Sequence, residues 1–240
     1  MNKILNLKKE EFAAYFDQTL LQADASEQDF KNLCEESIVY GFKMVAINPA
    51  AVTVCKKYLA GSKVLAGAAV GFPLGQNTIE TKVFETVNAI ENGAGEIDYV
   101  INISELKNRN YDYIKREMYE ITEICRKKEI TSKVIFENCY LTDDEKVKLC
   151  KIALSVGPDY IKTSTGFGLG GAKISDVILM KGEVGEKIKV KASGGIRTFE
   201  TACRFIEAGT GRIGTSVGVE IVDEFIKMKK EKQEVLQWRS

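Results

Sequence analysis

The sequence predicts an α/β fold: a closed (β/α)8 barrel spanning residues 1–240 as a single domain. Two observations carry that reading. Eight apolar strand candidates alternate without interruption with helical segments, and such alternation implies a parallel sheet. Eight units in 240 residues also leave each unit the length of one strand, one helix and their loops. A doubly wound sheet is the weaker alternative. A dinucleotide fold carries G-x-G-x-x-G after its first strand, and nothing of that kind follows Leu21.

Phe16 to Leu21 opens the series as a short strand. Ser26 with Asp29 resembles a capping box for a helix that Gly41 stops. Phe42 to Ile47 is the second strand, and Asn48-Pro49 leads into a helix ending at Gly61. Lys63 to Gly71 is the third. Thr78, Thr81 and Lys82 then begin a helix in which Val83, Val87 and Ile90 keep helical spacing up to Gly93. Glu96 to Ile103 is the fourth strand. Within Tyr111 to Lys128, Ile114, Met118, Ile121 and Cys125 recur every three or four residues, which predicts an amphipathic helix before the fifth strand, Lys133 to Cys139. Thr142 and Glu145 repeat the capping signal for a helix closed by Gly157. The last strands are Asp159 to Ser164, Ile188 to Ser193 and Arg212 to Ser216, followed in turn by helices Ile174 to Val184, Thr198 to Ala208 and Val219 to Trp238. Closing these units on themselves gives the TIM barrel, with the charged run Lys227 to Glu234 on the solvated face of the last helix.

Composition narrows the chemistry. The 34 basic and 34 acidic residues balance, so no electrostatic footprint for nucleic acid or a membrane is expected. There is no histidine, which removes Ser-His-Asp triads, Cys-His pairs and histidine-ligated zinc. The six cysteines, at 34, 55, 125, 139, 150 and 203, include no C-x-x-C pair and read as reduced thiols of a cytoplasmic protein, with no metal or other cofactor implied. The longest apolar stretch, Val64 to Leu74, is 11 residues broken by glycine and proline, too short to span a bilayer. Met1 to Glu11 lacks the apolar region of a secretory leader.

Strands covered by helices should be apolar, so charges within them need a cause. Asp17, Asp98, Lys133, Glu137, Lys162 and Lys191 all stand in strand candidates, and three lysines could pair with three acids inside the barrel. Lys162 and Lys191 each precede a loop rich in Ser, Thr and Gly, at the carboxyl end of a strand, where barrel enzymes place their chemistry. Two inward lysines on neighbouring strands repel each other, so one should lose its proton easily and become a nucleophilic amine. That points to a Schiff base with a carbonyl substrate; the bland alternative is an ion cluster that only fixes strand register. Ser193-Gly194-Gly195 and Gly214-Thr215-Ser216 can form a phosphate cradle, since small residues let backbone N–H groups approach an anion at a helix amino terminus.

KTSTGF at 162–167, KASGGIRT at 191–198, EIDYVINI at 96–103, GFPLG at 71–75 and RIGTS at 212–216 together resemble the deoxyribose-phosphate aldolase family, in order and over nearly the whole chain. The resemblance implies a metal-free class I aldolase that reversibly cleaves 2-deoxy-D-ribose 5-phosphate to D-glyceraldehyde 3-phosphate and acetaldehyde, in deoxyribonucleoside catabolism. It makes Lys162 the imine lysine, Lys191 the residue that perturbs its pKa, and Asp98 a carrier of protons through water. Gly166, Gly194, Gly195, Gly214 and Ser216 are then expected to hold the phosphorylated sugar, with Asp17, Lys133 and Glu137 as supporting polar groups. A homo-oligomer, dimer or tetramer, is also implied. Gln18, Asn138, Lys173 and Val217 depart from the family pattern, and the chain ends Trp238-Arg239-Ser240 where many members end in tyrosine. Those departures keep two alternatives open: an imine-forming aldolase for another sugar phosphate, and a barrel that binds sugar phosphates without turning them over.

Overall fold

The computed structural model describes Met1 and residues 3–238, with the side chains of residues 233 and 235–238 outside that description. Eight parallel strands close in sequence order: β1 (Phe16–Leu20), β2 (Met44–Ile47), β3 (Leu65–Val70), β4 (Glu96–Val100), β5 (Thr131–Ile135), β6 (Tyr160–Lys162), β7 (Lys189–Ser193) and β8 (Thr210–Thr215), which pairs back to β1. The helices are α1 (Lys9–Ala13), α2 (Glu27–Tyr40), α3 (Val52–Tyr58), α4 (Ile79–Glu91), α5 (Ile103–Lys107), α6 (Tyr111–Lys127), α7 (Asp143–Val156), α8 (Ile174–Val184), α9 (Phe199–Glu207) and α10 (Gly218–Trp238).

The capping residues read from the sequence act as caps. Ser26, Thr78 and Thr142 each accept a backbone N–H of the first turn of their helix, and Gly41 and Gly157 end α2 and α7 in the left-handed conformation; Thr198, expected as the first residue of its helix, caps α9 in the same way. Two short helices have no counterpart in the sequence pattern. α1 and α5 have five residues each, too few for an apolar period to register.

Several strands are shorter at the carboxyl end than the apolar pattern predicts. β5 stops at Ile135 instead of Cys139, because Glu137 takes a left-handed φ of 56° and Asn138–Tyr140 forms a turn of 3-10 helix. β3, β4 and β6 likewise give up their last expected residues to loops at the barrel mouth, whereas β8 starts two residues earlier, at Thr210. Apolar character persists beyond the ladder because those loops are themselves packed.

The alternation within strands decides what lies inside. Val45 and Ile47, Ala66, Ala68 and Val70, Ile97 and Tyr99, and Val190 and Ala192 point outward and belong to one hydrophobic core between sheet and helices. The residues between them face the barrel axis, and in β4 to β8 these include the buried charges Glu96, Asp98, Lys133, Lys162, Lys191 and Arg212. Register then places Asp98 opposite Lys133, Lys162 opposite Lys191, and Lys191 opposite Arg212.

Candidate active site

Six inward side chains form a closed ring of alternating charge. Asp98 accepts from Lys133 through Oδ1 at 2.7 Å and from Lys191 through Oδ2 at 2.7 Å. Lys191 Nζ lies 2.5 Å from Asp17 Oδ2, and Asp17 Oδ1 accepts from Arg212 Nε at 2.7 Å. Arg212 Nη2 reaches Glu96 at 3.1 Å, and Glu96 pairs with Lys133 to close the circuit. Three cations and three anions balance, which lets charges this deeply buried remain ionised. Burial pushes both aspartate carboxyls upward, but the lysines outweigh it at Asp98, holding it well below the usual range, and Lys191 and Arg212 lower Asp17.

Lys162 is a seventh, surplus charge. Its Nζ donates to Asp98 Oδ2 at 2.8 Å, on an oxygen already shared with Lys191. With Lys162 protonated the cluster holds one uncompensated buried cation; with Lys162 neutral it holds none. The Lys162 ammonium is correspondingly acidic, its pKa lowered to about 8, first by burial, with Asp98 opposing the change and Lys191 and Lys133 adding to it. Repulsion by Lys191, the cause expected from the sequence, is therefore the smaller contribution. Desolvation is the larger one.

Glu137 is not part of the cluster, contrary to its expected place in a barrel strand. It sits beyond β5, where its carboxylate accepts from the Thr165 N–H and hydroxyl and so braces the loop after Lys162. Burial raises its pKa, opposed by those hydrogen bonds. The ring instead recruits Glu96 and Arg212, which the sequence places in strands without marking them as members. The available signal is the one that marks the others, a charge inside an apolar strand.

Above Lys162 the carboxyl ends of the strands enclose a cavity of about 330 Å³, lined by Thr19, Gln22, Lys162, Thr165, Gly166, Phe167, Ser193 to Arg197 and Gly214 to Ser216. Lys191, with no exposed surface, lies beneath it. A larger concavity of about 500 Å³ adjoins it over β1 and α2, sharing Thr19, Gln22 and Ser216. It is lined by Asp24, Asp29 and Glu36, contains no lysine, and so suits an anionic carbonyl substrate poorly.

The predicted cradle residues line the cavity, with different parts to play. Gly166, Gly194 and Gly195 have φ of 90°, 89° and 80°, and among the described residues their N–H groups make no hydrogen bond within the chain. Gly194 is pressed against Gly171, where an added Cβ would lie 2.2 Å from the Gly194 carbonyl oxygen, so the loops after β6 and β7 can meet only through glycine. Gly214 is a strand residue packed closely against the end of β7, since a Cβ there would lie 3.0 Å from Ser193 Cβ. Ser216 is exposed at the rim. The amides expected at the amino terminus of α10 are occupied: Val217 N–H donates to Thr215 Oγ1 and Gly218 N–H to Gln18 Oε1. Arg197, which lies within KASGGIRT and carries no expectation from the sequence, supplies a cationic side chain to the lining.

None of the four unusual residues lines this cavity. Gln18 bridges β1 to the β8 turn by donating to Ser216 O at 3.2 Å and accepting from Gly218. Asn138 points to Asp176 of α8, Lys173 is exposed, and Val217 packs partly against the core. Tyr160, the last tyrosine, lies under the guanidinium of Arg212. Arg239, Ser240 and the side chain of Trp238 lie outside the described residues.

Comparison with known proteins agrees with the geometry. The family described as DeoC/LacD family aldolase matches residues 12–224. Deoxyribose-phosphate aldolase of Lactobacillus acidophilus is 56% identical to the chain over 212 residues, 88% of this chain and 90% of that one. A protein of the same name from Caldanaerobacter subterraneus is 51% identical, over 92% and 98% of the two chains. Among solved structures, the deoxyribose phosphate aldolase of Aeropyrum pernix, described as a unique tetrameric structure, superposes with a TM-score of 0.86 at 30% identity, covering 95% and 98%. An aldolase designated QR15 gives 0.84 at 40% identity, covering 90% and 96%.

Proposed function

We propose, for a chain that belongs to the DeoC/LacD family of aldolases, a class I retro-aldol reaction at Lys162 that cleaves 2-deoxy-D-ribose 5-phosphate to D-glyceraldehyde 3-phosphate and acetaldehyde. The observation that carries the assignment is that Lys162 is both the surplus cation of a neutral charge ring and the only lysine lining the cavity among the described residues. Its neutral amine adds to the C1 aldehyde of the open-chain sugar, and loss of water leaves a protonated imine. Removal of the C3 hydroxyl proton breaks the C2–C3 bond. The electron pair passes into the imine as an enamine, and C3 leaves as the aldehyde of glyceraldehyde 3-phosphate. Protonation of the enamine at C2 and hydrolysis of the imine release acetaldehyde and restore the amine.

Asp98, held ionised by its lysines, is the counter-ion of the iminium and passes protons through water. The Gly166, Gly194 and Gly195 amides, Ser216 and Arg197 bind the phosphate. Borohydride reduction in the presence of acetaldehyde, followed by peptide mass spectrometry, is expected to label Lys162 equally with and without EDTA. Labelling of Lys191 alone would reverse the assignment, and activity that EDTA abolishes and a divalent metal restores would exclude the class I route.

The acidity of Lys162 gives a second test. Imine formation should rise as pH passes through about 8, where the amine becomes neutral. Lys191→Met removes a positive neighbour and should move that rise to higher pH; Asp98→Asn removes a negative one and should move it lower, each by on the order of one unit. A rate profile of borohydride trapping reads both, and shifts of the same sign in the two variants would contradict the proposed coupling.

Two coarser readings accompany this one. Among the described residues no helix is long and apolar enough to cross a membrane, and all six cysteines are free, which supports a cytoplasmic location. The tetrameric relative, together with the exposed Val39, Phe84 and Ile178 on outer helices, supports a homo-oligomer whose copy number light scattering would count.

A further inference from the structure

A second buried ion pair lies outside the barrel, behind the segment GFPLG whose part in the reaction is so far unassigned. Lys82 of α4 and Glu117 of α6 have no exposed surface and meet at 2.6 Å. Lys82 spends its remaining donors on the carbonyl oxygens of Gly75 and Val100, each at 2.7 Å. Glu117 uses its other oxygen to accept from the Asn102 N–H at 3.0 Å. One ammonium thus ties the loop 71–75, the end of β4 and α6 together.

The glycines of the motif have a physical reason. Gly71 and Gly75 have φ of 58° and 70°. A Cβ on Gly71 would lie 2.8 Å from Lys82 Cε, and one on Gly75 would lie 2.1 Å from the carbonyl oxygen of Ile101. The loop is a collar drawn around the lysine stem and pressed onto the end of β4. Its other side faces the cavity wall, where Phe72 meets Phe167 edge-on, with ring centroids 5.4 Å apart and planes at 86°. Phe167 lines the cavity beside Lys162.

We propose that Lys82 and Glu117 are positioning residues for substrate binding: they hold the 71–75 collar so that Phe72 fixes Phe167 against the cavity, and they leave the imine chemistry to the ring and Lys162. The inference rests on the reaction taking place in the Lys162 cavity. A pair that merely joined α4 to α6 would contribute stability and nothing to substrate affinity.

The test compares three variants of the whole chain with the wild type. Lys82→Met alone strands Glu117 and should lower the Tm; Lys82→Met/Glu117→Gln removes both charges and should recover much of it. In the double variant KM for deoxyribose phosphate is expected to rise about fivefold or more while kcat stays within about threefold, and acetaldehyde still labels Lys162. Phe72→Leu, which leaves the ion pair untouched, should reproduce the rise in KM at wild-type Tm, and decides the matter if the double variant does not fold. An unchanged KM in Phe72→Leu or in the double variant, whatever kcat does, would overturn the proposal. Failure of acetaldehyde to label Lys162 in the wild type would instead overturn the function on which it rests.

Discussion

Lys162→Ala is expected to lower kcat for deoxyribose phosphate cleavage by about four orders of magnitude or more, because it removes the electron sink itself rather than tuning it. The fold should survive. Lys162 is the surplus cation, so its removal leaves three acids facing three bases in a ring that is neutral without it. Lys162→Arg separates charge from nucleophilicity: it keeps a cation beside Asp98 but has no neutral amine near pH 7, and should be as inactive as the alanine variant. Retro-aldol assays beside circular dichroism make the measurement. More than about a hundredth of wild-type activity in Lys162→Ala would mean that another amine forms the imine.

The ring itself should be costly to break. Asp17→Asn leaves Lys191 and Arg212 with one fewer anion between them, at a site with no exposed surface. The expected loss is about 3–5 kcal/mol, because an uncompensated buried charge is more damaging than the intact pair is helpful. That is a large part of the ~5–15 kcal/mol that keeps a domain folded, so the Tm should drop markedly. Removing a cation as well, in Asp17→Asn/Arg212→Met, should recover part of the loss, and a double-mutant cycle from denaturant unfolding gives the coupling. Strict additivity of the two substitutions would contradict the ring. The same carboxylates set the acid limit. Asp17 and Asp98 have lowered pKa values when folded, so their contribution is complete above the unfolded aspartate value near ~4 and is lost as pH falls through the folded values. Asp17→Asn should therefore take up one proton fewer on acid unfolding.

Most of the architecture is legible in local signals of the sequence. Helix starts at Ser26, Thr78, Thr142 and Thr198 need only a capping side chain and its reach to the first turn, both confined to four residues of sequence. The strand ends are not legible where loops are as apolar as strands, as at Phe136 to Cys139, because a left-handed residue such as Glu137 leaves no mark on hydropathy. Lys162, Lys191 and Asp98 stand out as anomalous charges in apolar runs, and their motifs carry the family and its chemistry.

The number of charges and their partners depends on closure. Glu137 and Glu96 are equally anomalous in the sequence, yet one braces a loop and the other completes the ring, since a strand alternates its faces with a period of two and ends where its backbone turns. Arg212 meets Asp17 across 195 positions of chain only because β8 pairs with β1. Burial inside the closed barrel is what chiefly makes Lys162 acidic, and the charges that act on it come from five strands, β1, β4, β5, β7 and β8, that surround the axis together with β6. Sequence order carries which charges exist. The closed barrel decides which of them share one volume without water, and in that volume a single unmatched cation gives up its proton more readily than it would in solvent.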